Sequence, residues 1–209
     1  MTYSLRVIII ILSLEIILLT SLACSLVSAE ACTVCVSVLD SRNNPIVGAD
    51  VVVTIGNLTY VEETNSSGIV SLQNVASLGE TIYIKVGWRG KFVYSGYHQV
   101  TAILTRINLT LENVYPLVIQ VKDPSGNAVS SSSILVTWTL GATFELEEST
   151  NESGIAIFDQ MTDLDCRVIA KYRGVVIYDE SYSLSKDTSY LEITAPIYNL
   201  GIKVIDKNN

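Results

Sequence analysis

Four asparagines stand two places before a serine or threonine, at Asn57, Asn65, Asn108 and Asn151. In that pattern the side-chain amide accepts an oligosaccharide outside the cytoplasm. Asn57, Asn65 and Asn151 fall among turn residues. Asn108 falls in a run where Ile103, Ile107, Leu109 and Leu111 share the inward parity, so its own side chain points outward. All four are expected to be accessible acceptors, against the plainer reading of four unmodified surface amides.

Cysteine offers a second chemistry. Cys32 and Cys35 form a Cys-x-x-Cys pair, the spacing of a redox or metal site on a helix start. On a strand the two side chains take opposite faces, with alpha carbons about 10 Å apart, too far for an undistorted disulfide. Cys166 shares the inward parity of Val168, Ala170 and Tyr172 and reads as a small buried hydrophobe. Without the N-terminal segment and its Cys24, three cysteines remain. An odd count leaves an intermolecular disulfide open, with outward Cys35 ahead of Cys32 and Cys166.

Catalysis has little to stand on. His98 is the one histidine, no serine sits in a nucleophile elbow, and no Gly-rich phosphate loop follows a strand. No catalytic residue and no cofactor is assigned. Asp159, Asp163 and Asp165 lack the ligand spacing of a calcium loop, so they read as a solvated acidic turn and no metal is expected. Trp88, Tyr94, Tyr97, Trp138 and Tyr172 are the aromatic candidates for ligand contact, and read first as core or cross-strand pairs.

The elements that place these residues begin after a leader. Arg6 precedes an apolar run from Val7 to Ala29 that ends in Val27-Ser28-Ala29, a positively flanked core with a small-x-small cleavage site. Residues 1–29 read as a helical secretory signal. The alternative is an uncleaved membrane anchor, disfavoured by Glu15 in the middle of the run. Either way the remainder is exported. Removing 1–29 takes away Arg6 and Glu15 together, so the net charge of -8 persists. An acidic chain without basic patches excludes nucleic acid and anionic membrane surfaces as partners; membrane contact follows only if the leader stays.

Sliding the chain against itself organises what is left. Asp40, Asp123 and Asp206 are spaced evenly (123 - 40 = 206 - 123 = 83). Before them stand Cys32, Val34, Val36 and Val38; then Tyr115, Leu117, Ile119 and Val121; then Tyr198, Leu200, Ile202 and Val204. Alternation with period two is the mark of a strand with one buried face. "TNSSGIVSL" from Thr64 returns as "TNESGIAIF" from Thr150, and "KVGWRGKFVYSGY" from Lys85 returns as "AKYRGVVIYDESY" from Ala170. The chain divides into a first repeat over 30–114, a second over 115–197, and over 198–209 the opening strand of an incomplete third.

In the first repeat, strands are expected near Thr33 to Leu39, Asp50 to Ile55, Thr59 to Glu63, Gly68 to Leu72, Thr81 to Trp88, Lys91 to Tyr97 and Thr101 to Leu111, with no helical period between them. Seven short strands in each repeat predict an all-β chain of two tandem immunoglobulin-like β-sandwich domains, with an extra C-terminal strand.

"VLDSRNNPIVGADVVV" followed by "TNSSGIVSLQNV" resembles the opening of carboxypeptidase-regulatory-like and related transthyretin-like or collagen-adhesin-B-type domains. The resemblance lies in the "G.PI.GA" turn and the later "T...G...L..V" turn. The second repeat keeps "VKDPSGNAV" and "TNESGIAIF" but has Ser130 to Ser133 where the first has Gly48-Ala49. The resemblance implies secreted, accessory or structural modules without catalytic residues. It also raises a self-formed Lys-Asn isopeptide link, which needs a buried lysine; Lys122 and Lys203 sit outward or at strand ends.

These residues point to a non-catalytic, N-glycosylated structural or adhesive protein, secreted or at the cell surface, whose partners are other extracellular or surface-layer proteins or itself. The alternatives are a carbohydrate- or protein-binding module accessory to an extracellular enzyme, and a filament subunit that assembles by strand addition. The apolar strand from Tyr198 needs a partner. A longer repeat protein or pairing at the edge of the second sandwich ranks ahead of donation to a neighbour, because both repeats own a first strand.

Overall fold

The structure, a computed structural model, describes residues 31–198. The expected signal over 1–29, Lys203, and the expected strand over 198–209 apart from Tyr198 lie outside the described residues. The first sandwich is built from β1 (Ala31–Asp40), β2 (Asp50–Ile55), β3 (Leu58–Glu63), β4 (Ile69–Ser77), β5 (Thr81–Trp88), β6 (Lys91–Gln99) and β7 (Leu104–Leu111). The second comprises β8 (Val114–Lys122), β9 (Ser133–Leu140), β10 (Ala142–Ser149), β11 (Ile155–Thr162), β12 (Leu164–Tyr172), β13 (Val175–Leu184) and β14 (Tyr190–Thr194). A 3₁₀ turn at Lys186–Thr188 precedes β14. The described residues are all-β, in two seven-stranded sandwiches.

Each sandwich packs a three-stranded sheet on a four-stranded one: β4-β1-β7 on β3-β2-β5-β6, and β11-β8-β14 on β10-β9-β12-β13. Alternation decides which side chains enter the core. Along β1, Cys32, Val34, Val36 and Val38 are buried while Thr33, Cys35 and Ser37 face outward. The second core repeats this with Leu117, Ile119 and Val121 on β8. Val114 packs into the first core and the next residue, Tyr115, into the second.

First and last strands pair in parallel, β1 with β7 from Thr33↔Leu104 to Asp40↔Leu111, and β8 with β14. Parallel neighbours run the same way, so the chain enters a sandwich at one end and leaves at the other. Only Glu112 and Asn113 separate β7 from β8.

Two polar locks recur in both units. Asp40 accepts from the backbone N–H of Arg42 and of Asn44, each at 2.8 Å, and from Asn44 Nδ2 at 3.1 Å. Asp123 repeats this with Ser125 and Asn127 at 2.8 to 2.9 Å. Burial raises the Asp40 pKa, but the hydrogen bonds from Asn44 and Arg42 outweigh it and hold the carboxyl below its ordinary value. Thr64 Oγ1 donates to Ile46 O at 2.7 Å and accepts from Ala49 N at 2.8 Å; Thr150 Oγ1 does the same for Val129 O and Ser132 N at 2.8 and 2.9 Å.

Gly68 and Gly154 follow these threonines with φ of +71° and +72°, and a Cβ there would lie 2.7 Å from Val38 O or 2.5 Å from Val121 O. No other residue type fits so close to a backbone oxygen.

Several strand limits differ from the expected ones, β1 beginning at Ala31 and ending at Asp40, β3 beginning at Leu58 and β4 at Ile69 among them. β4 runs on to Ser77 because a bulge at Asn74 (φ +55°) absorbs the register shift and lets pairing resume at Ala76. β6 likewise continues to Gln99, paired with Thr81. β7 starts at Leu104, since Thr105 Oγ1 accepts from the amides of Thr101 and Ala102 and folds them into a bend. Ile103 is consequently 59% exposed, outside the inward set that Thr105, Ile107, Leu109 and Leu111 form.

The two units differ at one corner of the core. Gly48 (φ +76°) and Ala49 occupy in the first sandwich what Ser131 (φ +59°) and Ser132 occupy in the second. Ser132 is wholly buried and its Oγ has no hydrogen-bond partner, while Ser131 carries a Cβ in the left-handed region. Ser132→Ala should therefore stabilise the second sandwich by about 1 kcal/mol, and Ser131→Gly by a similar increment. The reciprocal Ala49→Ser should weaken the first unit by about as much. Calorimetry of the three variants tests this; a lower melting temperature for Ser132→Ala would refute the assignment of that hydroxyl as an unmet polar group.

Candidate functional site

The four sequon asparagines all lie on the surface. Asn57 is in the two-residue turn between β2 and β3, and Asn108 points outward from β7. Asn65 and Asn151 open the turns before β4 and β11, each accepting through Oδ1 from amides two and four residues on at 2.9 to 3.1 Å. That geometry engages the amide oxygen and does not use the nitrogen, the atom that would carry a sugar.

Cys32 and Cys166 are buried, and Cys35 is half exposed on the outer face of β1 with Sγ 3.5 Å from Ser71 Oγ. Burial, and secondarily the charge of Asp165, push the Cys166 thiol up to about 11, so near neutral pH it is an inert thiol. Lys122 lies outward at the end of β8 and its Nζ meets Glu192 Oε2 of β14 at 2.6 Å, an exposed ion pair.

His98 Nε2 lies 2.8 Å from Tyr94 OH on β6, and burial lowers the imidazole below its ordinary value. Tyr97 is 76% exposed and pairs across strands with Tyr83, ring centroids 4.7 Å apart. Lys85 Nζ stands 5.6 Å from the Tyr83 ring and 5.4 Å from that of Phe92, itself 65% exposed. Among the described residues no His, Cys, Asp or Glu trio converges as a metal site. No helix among them is long and apolar enough to cross a membrane.

The densest set of directed contacts between side chains from different elements is one that motif reading passed over, the junction of the two sandwiches. Arg89 and Gly90 form the two-residue turn between β5 and β6, with φ of +51° and +81°. This is the turn in which Asn-Gly is the usual choice, so arginine there is unexpected on local grounds.

Its side chain explains it. The Arg89 guanidinium lies 5.2 Å from the Trp88 ring and 5.8 Å from the Trp138 ring. Its Nε donates to Gln160 O at 3.0 Å and its Nη2 to Asp159 O at 3.1 Å. The Arg89 carbonyl in turn accepts from Trp138 Nε1 at 3.3 Å. Burial pulls the guanidinium below its ordinary pKa, and the aromatic faces and carbonyls compensate its lost water.

The carbonyls are available because β11 is interrupted. A register shift between Phe158 and Met161 leaves Gln160 at φ +54°, and this bulge aims its backbone and side chain at the first sandwich. Gln160 O also accepts from Trp88 Nε1 at 2.6 Å, and its Nε2 donates to Pro45 O at 2.9 Å. Around this centre Arg42 Nη2 meets Asp159 Oδ1 at 2.7 Å and Lys91 Nζ meets Asp163 O at 2.8 Å. Tyr115 OH donates to Asp163 Oδ1; burial, then that bond, raise the phenol's pKa. Phe144, stacked 5.3 Å from Trp138, covers Gly90, where a Cβ would come within 2.9 Å of Phe144 Cε2.

Trp88 and Trp138 are thus not ligand platforms but the walls of this junction, and Asp159 and Asp163, both exposed, are joined to it. Asp165 stays apart, accepting from Ser183 Oγ at 2.7 Å. The repeated "WRG" and "YRG" were the legible signal: an arginine where the hairpin prefers asparagine.

No family model and no curated protein matches the chain. Solved structures do resemble it. The Bacillus anthracis TIE protein is 19% identical over 78% of this chain, which spans 33% of that protein, with a TM-score of 0.37. Shaft pilin SpaA from Lactobacillus rhamnosus GG is 7% identical, covering 82% of this chain and 99% of its own, with a TM-score of 0.43. A minor pilin of Streptococcus agalactiae is 11% identical, covering 84% and 100%, with a TM-score of 0.38.

Two outcomes are expected. Arg89→Ala should remove about 3 kcal/mol of coupling between the sandwiches, split a joint calorimetric transition into two, and speed protease cleavage at Glu112–Asn113; Arg89→Lys should fail to restore either, for want of the planar fork. Unaltered melting and cleavage would remove Arg89 from the junction's energetics. A thiol reagent applied to the folded chain should modify Cys35 and leave Cys166 untouched until denaturant is added, as peptide mapping would show; prompt modification of Cys166 contradicts its burial.

Proposed function

We propose that this chain is a non-catalytic structural or adhesive protein displayed outside the cytoplasm, secreted or at a cell surface, and N-glycosylated at Asn57, Asn65, Asn108 and Asn151. The carrying observation is the junction around Arg89. It couples the two sandwiches end to end with part-buried and exposed directed bonds, where independent binding modules would be served by a loose linker. Parallel first and last strands carry the chain from one end of each sandwich to the other, the path a load-bearing stalk requires. The acidic net charge of -8 suits an exposed, soluble surface. Its partners on this reading are other surface proteins, with half-exposed Cys35 as the cross-linking thiol.

A second reading rests on the outward strip of Tyr83, Tyr97, Lys85 and Phe92 on the first sandwich. Exposed rings beside a cation suit the apolar faces of sugar rings, so an array of glycans is the direct probe, with Tyr97→Ala as control.

Intact-mass spectrometry of natively produced protein, before and after enzymatic deglycosylation, should show mass heterogeneity that collapses to the polypeptide mass, with occupancy mapped to the four sequons. A single unmodified mass from natively exported material would overturn the glycoprotein reading, and recovery of the protein in the cytoplasmic fraction would overturn the surface role.

A further inference from the structure

At the end of the first sandwich that meets the second, Gln160 sits in a cleft beside Pro45, Trp88 and Arg89, gripped by Pro45 O, Trp88 Nε1 and Arg89 Nε at 2.6 to 3.0 Å.

The same cleft exists at the far end of the second sandwich. There Asp123, Asn127, Ala128, Tyr172 and Ile197 line an open hollow of about 330 Å³. These stand 83 or 84 residues after Asp40, Asn44, Pro45, Trp88 and Val114 (123 - 40 = 83; 172 - 88 = 84; 197 - 114 = 83). Beside it Arg173 and Gly174 repeat the strained turn, with φ of +51° and +81° as at Arg89 and Gly90. Arg173 lies 5.2 Å from the Tyr172 ring, the distance of Arg89 from Trp88. Val175 next to it is 65% exposed. An arginine in the left-handed region costs about 1 kcal/mol; in the first sandwich that cost is offset by an occupied cleft, and in the second the same device is in place.

We propose that this second cleft is the docking site for a further sandwich repeat continuing in the same chain after Ile197. That repeat would present the left-handed bulge of its fourth strand, as β11 presents Gln160: a carboxamide donor for Ala128 O, and two successive backbone carbonyls for the Arg173 fork. The sequence beyond Ile197 follows the pattern of such a unit's first strand, since Tyr198, Leu200, Ile202, Val204 and Asp206 repeat Tyr115, Leu117, Ile119, Val121 and Asp123. A second copy of the chain fits less well. Its first sandwich carries the matching bulge at exposed Asn74 (φ +55°), but its β2–β3 hairpin has Ile55 where β9 has Trp138, so nothing there donates to the Arg173 carbonyl. The proposal stands on repeat geometry and holds whether or not the surface role above does.

The test extends the full chain by replacing residues 198–209 with a second copy of residues 115–197, which sets the appended bulge opposite the cleft. Hydrogen exchange at the Tyr172–Val176 turn should slow by about tenfold relative to the natural chain. Arg173→Ala should abolish that protection in the extended chain and leave the stability of the natural chain unchanged. If the appended copy does not fold, as judged by circular dichroism, an appended copy of residues 31–114 carrying Ile55→Trp and its Asn74 bulge is measured instead. Equal exchange with and without a folded appended unit, or indifference to Arg173→Ala, overturns the proposal. So does a dimer of the natural chain that Asn74→Ala dissolves, since the occupant would then be a second copy.

Discussion

A guanidinium held between two indole rings, bonded to carbonyl oxygens, is the interaction on which the relation of the two sandwiches depends. Arg89 is partly buried among Trp88, Trp138 and the carbonyls of Asp159 and Gln160. Removing a cation from water is expensive, and it persists because every direction it faces offers negative potential: ring faces on two sides and carbonyl dipoles at its fork. Arg42 meets Asp159 in a more exposed pair and adds little. The directed bonds, not surface charge, make the two units one piece.

That junction requires two departures from regular β structure. One is the left-handed turn at Arg89-Gly90, which brings the side chain to the end of the sandwich; the other is the bulge at Gln160, which frees two backbone oxygens from the β8–β11 ladder. Each is locally unfavourable, and each is tolerated because the contact it makes lies on the other unit. Asn74 and Arg173 hold the same conformations at the corresponding places, so both departures are written into the repeat.

Inside each sandwich the economy is different. The Asp40–Asn44 and Asp123–Asn127 locks, the Thr64 and Thr150 clamps, and the Gly68 and Gly154 approaches all satisfy backbone groups at the corners where strands change sheets. They recur unchanged because every partner lies within the same repeat. Where the second repeat has drifted, at Ser131 and Ser132, the backbone conformation is kept and the side-chain chemistry no longer suits it. The fold tolerates this because the hydrogen bonds of that corner run through the backbone and Thr150.

Alternation and turn chemistry alone determined most of the architecture. The period-two runs assigned the inward residues of β1 and β8, the opposite faces of Cys32 and Cys35, the burial of Cys166 and the outward position of Asn108, because strand parity is a local property of the backbone. Only the tertiary structure decided what Trp88, Arg89, Trp138, Asp159, Gln160 and Asp163 do. Those residues lie about 50 to 75 positions apart across the two repeats, and parity says which face a side chain takes but not which unit it meets. The end-to-end path set by parallel first and last strands brings the β5–β6 turn against the β11 bulge, and that path is a property of sheet order, which no local pattern encodes.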